Sequence, residues 1–257
     1  MASEMLNRYR RQQITHLVNE RQRITVAELS QHFGVSEATI RRDLVLLNQG
    51  GEIQRAHGGA VSVGRAAATV PVVSRKVEYE QEKKRIGRAA AQLVQDGMTI
   101  FLGSGTTSLE VARHLTDRRN LTVITNGLNI ANQLVHNQNV ELIIVGGVLR
   151  HSELSIIGHI TELALKELRA DKVIMGMGAI DIEGGLTSGY LPETMTARAI
   201  INFAPEVILV ADHSKFNKVA PALVAPIGAV SILITDDQAP SDTVAKIREL
   251  GIHVILA

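Results

Sequence analysis

From residue 98 onward the chain sets short apolar, largely β-branched runs between helical-looking segments: MTIFL (98–102), LTVIT (121–125), ELIIV (141–145), KVIMGMG (172–178), EVILVA (206–211), SILIT (231–235) and HVILA (253–257). Consecutive apolar positions suit strands buried on both faces. Strands that alternate with helices are joined by crossovers, which sets neighbours parallel. The expectation is therefore an α/β fold, an open and mainly parallel α/β sandwich. Ligands of such sheets bind beyond the carboxyl ends of the strands, so the residues just after each run are the place to look for function.

Those rims are polar and rich in glycine. The first run ends in Gly103-Ser104-Gly105-Thr106-Thr107-Ser108 and leads into a helical segment at Leu109. A glycine-rich strand-to-helix turn aims backbone N–H groups and a helix N-terminus at an anion such as phosphate. The second run ends at Asn126, the third at Gly146-Gly147, the fourth at Gly176 through Asp181, and the fifth at Asp212-His213-Ser214-Lys215. Gly and Asn also end strands for local reasons, but several such rims in one domain favour a ligand cleft. Candidate phosphate contacts are the backbone and hydroxyls of Gly103, Ser104, Gly105, Thr106 and Thr107. Asn126 can bond a hydroxyl, Gly147 lines the rim, Asp181 and Asp212 can accept from sugar hydroxyls, and Lys215 adds positive charge. Glu193, opening PETMTARAII, is either a ligand contact or a carboxylate favoured by the helix dipole. Lys83 belongs to the run Lys83-Lys84-Arg85 on a helix whose Ile86, Ala90, Leu93 and Val94 face inward. That run is either solvated surface or the seat of a phosphate-facing lysine. The chain has no cysteine, hence no disulfide, thiol nucleophile or Cys-based zinc site, and no metal or cofactor is expected.

The net charge of +1 conceals an asymmetry: residues 1–88 carry fifteen Lys and Arg against nine Asp and Glu, whereas 89–257 carry twelve against seventeen. A basic segment ahead of an acidic body suggests a small module that meets a polyanion. In MLNRYRRQQITHLVNE (5–20), Leu6, Ile14, Leu17 and Val18 recur at helical spacing. Thr25-Val26-Ala27-Glu28 is a capping box that opens a short helix ending near His32 or Phe33, before Gly34. Ser36 caps a third helix, SEATIRRDLVLLNQ, with Ile40, Leu44 and Leu47 on its buried face and Gly50-Gly51 after it. Two short helices across a Gly-containing turn, backed by a third, form the helix-turn-helix arrangement, whose second helix enters the major groove. Its candidate DNA contacts are Ser36, Glu37, Thr39, Arg41 and Arg42; a guanidinium chelates guanine or clamps phosphate, and a hydroxyl reads an edge or holds the backbone. Residues 52–61 turn at Gly58-Gly59 as a β-hairpin wing would, adding Arg55, His57 and Gly58. On pattern alone, a three-helix docking domain with solvated arginines stays open. No apolar run approaches the roughly 20 residues of a membrane span, and MASEMLNRYRRQQ lacks a signal-peptide core, so a cytoplasmic protein without a membrane partner is expected. An aromatic content of 3% with no Trp argues against base-stacking platforms for single strands.

The segment VAELSQHFGVSEATIRRDLVLLNQGGEIQRAHGGAV (26–61) closely resembles the winged helix-turn-helix of the DeoR family of bacterial repressors, with its V-S-x-x-T-I-R-R-D-L recognition helix and R-x-H-G-G-A wing. Downstream, DGMTIFLGSGTTSLEVA, TVITNGLNIA, LIIVGGVLR, GAIDIEGGLTSGY and ILVADHSKF resemble, in order, the signatures of that family's effector domain. Arg75 and Lys83 fit its R…EK…I pattern. The resemblance implies a DNA-binding domain over 1–61, a linker over 62–75, and an effector domain over 76–257. The effector domain would share the fold of ribose-5-phosphate isomerases, glucosamine-6-phosphate deaminases and CoA transferases. The family loop often reads Asp-Ser-Gly-Thr-Thr, and Gly103 replaces that Asp.

The phosphate loop itself admits several uses. A dinucleotide fingerprint would need a third glycine where Ser108 stands and an acid after the second strand, where Thr125-Asn126 stand instead. A P-loop would need Gly-Lys-Ser/Thr. A sugar-phosphate isomerase or deaminase, with carboxylates shuttling protons, remains the alternative, since the loop, the Thr-Asn rim and the Asp212/Lys215 pair resemble those enzymes. Such an enzyme has no use for a basic helix-turn-helix. The resemblance to the DeoR family implies instead a non-enzymatic repressor of a carbohydrate-catabolic operon, bound to double-stranded operator DNA and released by a phosphorylated sugar. One small module binds DNA weakly, so a homodimer or homotetramer reading repeated half-sites is expected.

Overall fold

The computed structural model describes residues 2–21, 23–49, 53–56, 58–61, 72 and 74–257. The chain divides into two compact units, Met1–Val70 and Pro71–Ala257. The first runs α1 (Ala2–Arg21), β1 (Arg23–Thr25), α2 (Val26–Phe33), α3 (Glu37–Gln49), β2 (Gln54–Ala56) and β3 (Gly59–Val61). The capping box opens α2 as its residues require: Thr25 N–H donates to Glu28 Oε2 at 2.7 Å, and Glu28 N–H donates to Thr25 Oγ1 at 3.2 Å. Gly34 closes that helix in the left-handed region at φ 62°. The Ser36 hydroxyl accepts from Thr39 N–H at 3.3 Å, which starts α3 at the expected place. Ile14 and Val18 from α1, Leu29 from α2, and Ile40, Leu44 and Leu47 from α3 meet in one buried cluster with Ile24, Val26, Ile53 and Ala60.

The wing is a three-stranded sheet in the order β1-β3-β2, all antiparallel. Its first strand, Arg-Ile-Thr, has no counterpart in the sequence pattern. Gly59 permits it: a Cβ there would stand 2.1 Å from the Ile24 carbonyl oxygen, so only glycine lets β3 lie against β1. Val26 N–H then donates to the Gly58 carbonyl at 2.9 Å, tying the wing turn to the start of α2. Gly50-Gly51, His57 and the expected linker residues 62–71 and 73 lie outside the described residues.

The second unit opens with α4 (Glu80–Gln92), β4 (Thr99–Leu102), α5 (Thr106–Arg113), β5 (Leu121–Thr125), α6 (Leu128–Leu134), β6 (Val140–Ile144), β7 (Val148–Arg150), β8 (Ser155–Ile157) and α7 (His159–Glu167). It continues with β9 (Lys172–Met175), β10 (Ala179–Asp181), β11 (Gly185–Ser188), α8 (Leu191–Ile201), β12 (Glu206–Val210), β13 (Ala222–Ala225), β14 (Ile232–Thr235), α9 (Ser241–Glu249) and β15 (His253–Leu256). The apolar runs read from sequence are the strands of one parallel sheet, ordered β15-β14-β12-β9-β4-β5-β6. Alternate residues supply opposite cores. Ile100 and Leu102 face α4, α5 and α6, while Phe101, between them, joins Leu165 of α7, Ile200 of α8 and Ile247 of α9. The antiparallel strands stand apart from this sheet, in the trio β10-β11-β13 and the hairpin β7-β8.

The strand order fixes where a ligand belongs. From β4 the chain moves outward through β5 and β6, then returns to the other side of β4 at β9 and proceeds to β15. The reversal puts the topological switch point, at which such sheets bind ligands, between the carboxyl ends of β4 and β9. The loop 103–105 opens on it. Among the described residues, no helix is long and apolar enough to cross a membrane, and no group of three or more His, Cys, Asp or Glu is placed to hold a metal.

Candidate functional site

In the first unit, α3 buries Ile40, Leu44 and Leu47 and turns Glu37, Ala38, Arg41 and Arg42 outward. Ser36 is exposed and Thr39 half-buried, their hydroxyls 3.0 Å apart. Arg41 Nη2 donates to Glu37 Oε2 at 2.9 Å, so one candidate contact already holds another in place. Arg55 is a residue of β2, and Gly58 makes the wing turn at φ 80°. A further residue emerges on the inner face. Asp43 is buried and accepts from Arg10 Nε at 2.7 Å, with Arg10 itself bonded to Asn7 Oδ1 at 3.0 Å. Its signal in the sequence is a charged residue on the apolar stripe between Ile40 and Leu44. The pair locks α3 to α1 and so sets the angle at which α3 is presented. Asp43→Asn is expected to destabilise this unit by about 2 kcal/mol, the worth of a hydrogen bond to a charged group. Circular dichroism melting tests this, and an unchanged first transition contradicts it.

In the second unit the loop after β4 is held from below. Asn126, buried, accepts from Ser104 N–H through Oδ1 at 3.2 Å and donates through Nδ2 to the Ile156 carbonyl at 3.1 Å. Asn129 Nδ2 donates to the Gly105 carbonyl at 3.0 Å. The polar atoms of Asn126 thus align the loop. Gly105 takes φ 126° at the N-cap of α5, a conformation closed to residues with a Cβ, and no side chain caps the helix. The first N–H groups of α5, from Thr106, Thr107 and Ser108, have no intrahelical acceptor and converge at that end. Ser108 Oγ is fully buried without a hydrogen-bond partner among the described residues. Gly103 brings β4 and β9 together: a Cβ there would stand 3.1 Å from the Met175 Cβ, so an Asp at this position would require Met175 to shift.

The other rim residues have more varied roles. Asp181 Oδ1 accepts from the N–H groups of Glu183 and Gly184 at 3.0 and 2.8 Å, which makes it the turn residue of the β10-β11 hairpin. Gly147, at φ 147°, leaves space for Thr161, whose Oγ1 an added Cβ would approach to 2.3 Å. Asp212, buried at the end of β12, accepts from Ser214 N–H at 3.1 Å through Oδ1, while its Oδ2 has no hydrogen-bond partner among the described residues. Burial pushes the Lys215 ammonium below the ordinary lysine range, with Asp212 pulling the other way and the nearby Arg75 and Lys218 charges adding to the drop. Lys83 shows the same pattern: burial lowers it first, Asp212 opposes, and Lys215 and Arg75 reinforce the drop. Asp212, Lys83 and Lys215 therefore form one electrostatic cluster.

Lys83 also lies level with the loop after β4. Helices α4 and α5 both run back from the carboxyl rim. Arg118, after α5, donates to the Val94 and Ala91 carbonyls at the far end of α4, at 2.8 and 3.1 Å. Midway the two helices touch at Gly87 and Glu110. One turn earlier on each come Lys83 and Thr106.

Glu193 pairs with Arg150 and accepts from Ser155 Oγ at 3.0 Å, and the Arg150 guanidinium lies 4.2 Å over the Tyr190 ring. Arg75 pairs with Glu153, a buried carboxyl that burial pushes up against the pull of Arg75 and Arg150. This ladder of alternating charges on the β7-β8 hairpin is legible in the sequence only for Glu193 and Arg75; Arg150 and Glu153 sit in a hairpin the pattern does not announce.

Comparison with known proteins follows the same division. The DeoR-like helix-turn-helix domain matches residues 10–66, and the DeoR C terminal sensor domain matches residues 78–237. Transcriptional repressor AccR of Agrobacterium fabrum is 38% identical over 88% of this chain and 88% of its own length. HTH-type transcriptional repressor CsqR of Escherichia coli is 34% identical over 99% of this chain and 97% of its own. The glycerol-3-phosphate regulon repressor of Escherichia coli is 37% identical over 95% of this chain and 96% of its own. Ribose 5-phosphate isomerase A of Methanocaldococcus jannaschii is 20% identical, covers 54% of this chain and 55% of its own, and has a TM-score of 0.41, too slight a likeness to bear on function. A helix-turn-helix unit followed by a parallel-sheet sensor unit, matched by both family domains and by repressors over nearly the full length, places the chain in the DeoR family of transcriptional repressors.

Proposed function

We propose that this repressor controls a carbohydrate-catabolic operon and is released from double-stranded operator DNA by a phosphorylated sugar, which its second unit senses without converting. The observation that carries the reading is the α5 N-terminus. Unbonded N–H groups, the φ 126° of Gly105 and the buried Ser108 hydroxyl meet at the switch point, with Lys83 at the same level. That is the chemistry of a phosphate seat. Asp212 Oδ2 and the Lys215 ammonium supply an acceptor and a donor for sugar hydroxyls nearby. The name of the glycerol-3-phosphate regulon repressor, 37% identical, fits a phosphorylated polyol or sugar as the signal. Operator contacts fall to Ser36, Glu37, Thr39, Arg41, Arg42, Arg55, His57 and Gly58. A homodimer or homotetramer in the cytoplasm suits a reader of repeated half-sites.

Thermal-shift screening of phosphorylated sugars against their unphosphorylated parents tests the sensor reading. A ligand at 100 times its Kd adds roughly 2.7 kcal/mol to apparent stability. The expected result is a rise in melting temperature with one or a few phosphorylated members and none with the parent sugars. Equal response to both sets removes the phosphate seat, and turnover of any of them restores the isomerase alternative.

A further inference from the structure

Lys83 is 4% exposed, an uncommon place for an ammonium, and both of its hydrogen bonds go to backbone. Nζ donates to the carbonyls of Arg75 at 2.7 Å and Glu78 at 2.6 Å. These carbonyls belong to the short helical turn Ser74–Lys76 and to the approach to α4. Tyr79, between that approach and the helix, sits in the left-handed region at φ 51°, which a bulky side chain rarely adopts. Its ring stands edge-on to His213, with centroids 4.7 Å apart, and Arg75 pairs with Glu153. The segment 74–79 therefore spans from the hairpin loop to the end of β12, and one ammonium ties it to α4. That ammonium lies level with the N-terminus of α5. A phosphate is a charged acceptor, and hydrogen bonds between ions are roughly twice as strong as those to neutral carbonyls.

We propose that Lys83 is an anion-operated latch: it clamps segment 74–79 through the Arg75 and Glu78 carbonyls, and a phosphate seated at the loop after β4 draws the ammonium off and frees the segment. The idea rests on the phosphate reading of that loop and adds to it a route of regulation. Segment 74–79 lies near the start of the second unit, just after buried Val72, whose N–H donates to the Ser152 carbonyl at 2.7 Å, so its release loosens the end of that unit to which the linker is joined. Lys83 is buried, and Lys83→Met keeps a side chain of similar length while removing the donor.

Two readouts on the full chain separate the parts: trypsin cleavage after Arg75 and Lys76, quantified by mass spectrometry, and amide exchange of residues 104–109. Both are followed in wild type and Lys83→Met, with inorganic phosphate or with chloride at matched ionic strength. In chloride, Lys83→Met is expected to be cut at 75 and 76 about tenfold faster than wild type, since local opening sets the rate. Phosphate is expected to speed the same cuts in wild type, to add nothing in the variant, and to protect 104–109 in wild type, with the variant needing a higher phosphate concentration for the same protection. Cleavage unchanged in Lys83→Met, or unchanged by phosphate in wild type while 104–109 is protected, overturns the latch and leaves the phosphate seat standing. Absence of protection at 104–109 overturns the seat instead, and the variant in chloride then decides the clamp alone. Should Lys83→Met fail to fold, the wild-type phosphate arm decides.

Discussion

Replacing Arg41 and Arg42 together with alanine is expected to weaken operator binding at least about thirtyfold, at roughly 1–3 kcal/mol for each guanidinium if both read bases. Both side chains are exposed on the outer face of α3 and touch none of its buried stripe. Their loss leaves the cluster of Ile40, Leu44 and Leu47 intact, so the first thermal transition should stay where it is, and the response to phosphorylated sugars should persist. Removing two phosphate- or base-directed cations also flattens the salt dependence of binding. Fluorescence anisotropy across a salt series reads both effects. Binding that keeps its affinity and its salt slope would move the DNA contact away from α3. The single variants should differ, because Arg41 is tethered to Glu37 at 2.9 Å and must exchange that partner for DNA.

Gly87→Val is expected to destabilise the sensor unit by about 3 kcal/mol, the upper end for overpacking, and to lower its melting temperature by about 6–12 °C. The cause is backbone proximity. A Cβ at Gly87 would stand 2.5 Å from the Glu110 Cβ and 2.6 Å from its carbonyl carbon, so α4 and α5 would have to separate along their length. Those helices carry Lys83 and the phosphate seat at their N-termini, so sugar-phosphate affinity should fall with stability. Calorimetry on the full chain checks the first effect. A melting temperature within a degree of wild type would show that the helices accommodate the methyl groups and that their contact is looser than the geometry states.

Much of this was legible because buried parallel strands write a plain signal. Ile100-Phe101-Leu102 is apolar at every position since each side of the sheet is covered, and the same holds for 207–210 and 232–234. The helix-turn-helix was legible through its caps, Thr25 with Glu28, Gly34 and Ser36. Strand order was not, because adjacency of β4 and β9 arises from packing over more than 60 intervening residues and leaves no local mark. The switch point was therefore invisible, although the loop that borders it was not. Three-residue strands escaped for a different reason. The β7-β8 hairpin turns with Leu154 at φ 51°, a position where sequence leads one to expect Gly or Asn. With that hairpin unseen, the ladder from Arg75 and Glu153 to Arg150 and Glu193 had no frame. Asn126 does follow β5 as read, whereas Asp181 ends β10 of a separate antiparallel sheet rather than the rim of β9; both turn their oxygens to backbone N–H groups, a commitment that depends on neighbouring loops rather than on their own surroundings in sequence.

The central claim is that filling the phosphate seat at Gly103–Ser108 loosens the grip of α3 on DNA. Energetically this asks only that the sugar phosphate bind the DNA-released arrangement better, and coupling of roughly 1–3 kcal/mol is the usual scale. The direct measurement is operator affinity by anisotropy, on DNA selected from a random pool by the protein itself, with and without the sugar phosphate that most raises its melting temperature. A Kd that rises about 5- to 150-fold with that sugar phosphate and is unmoved by its unphosphorylated parent is the predicted result. A sugar phosphate that stabilises the protein yet leaves the operator Kd unchanged would contradict it.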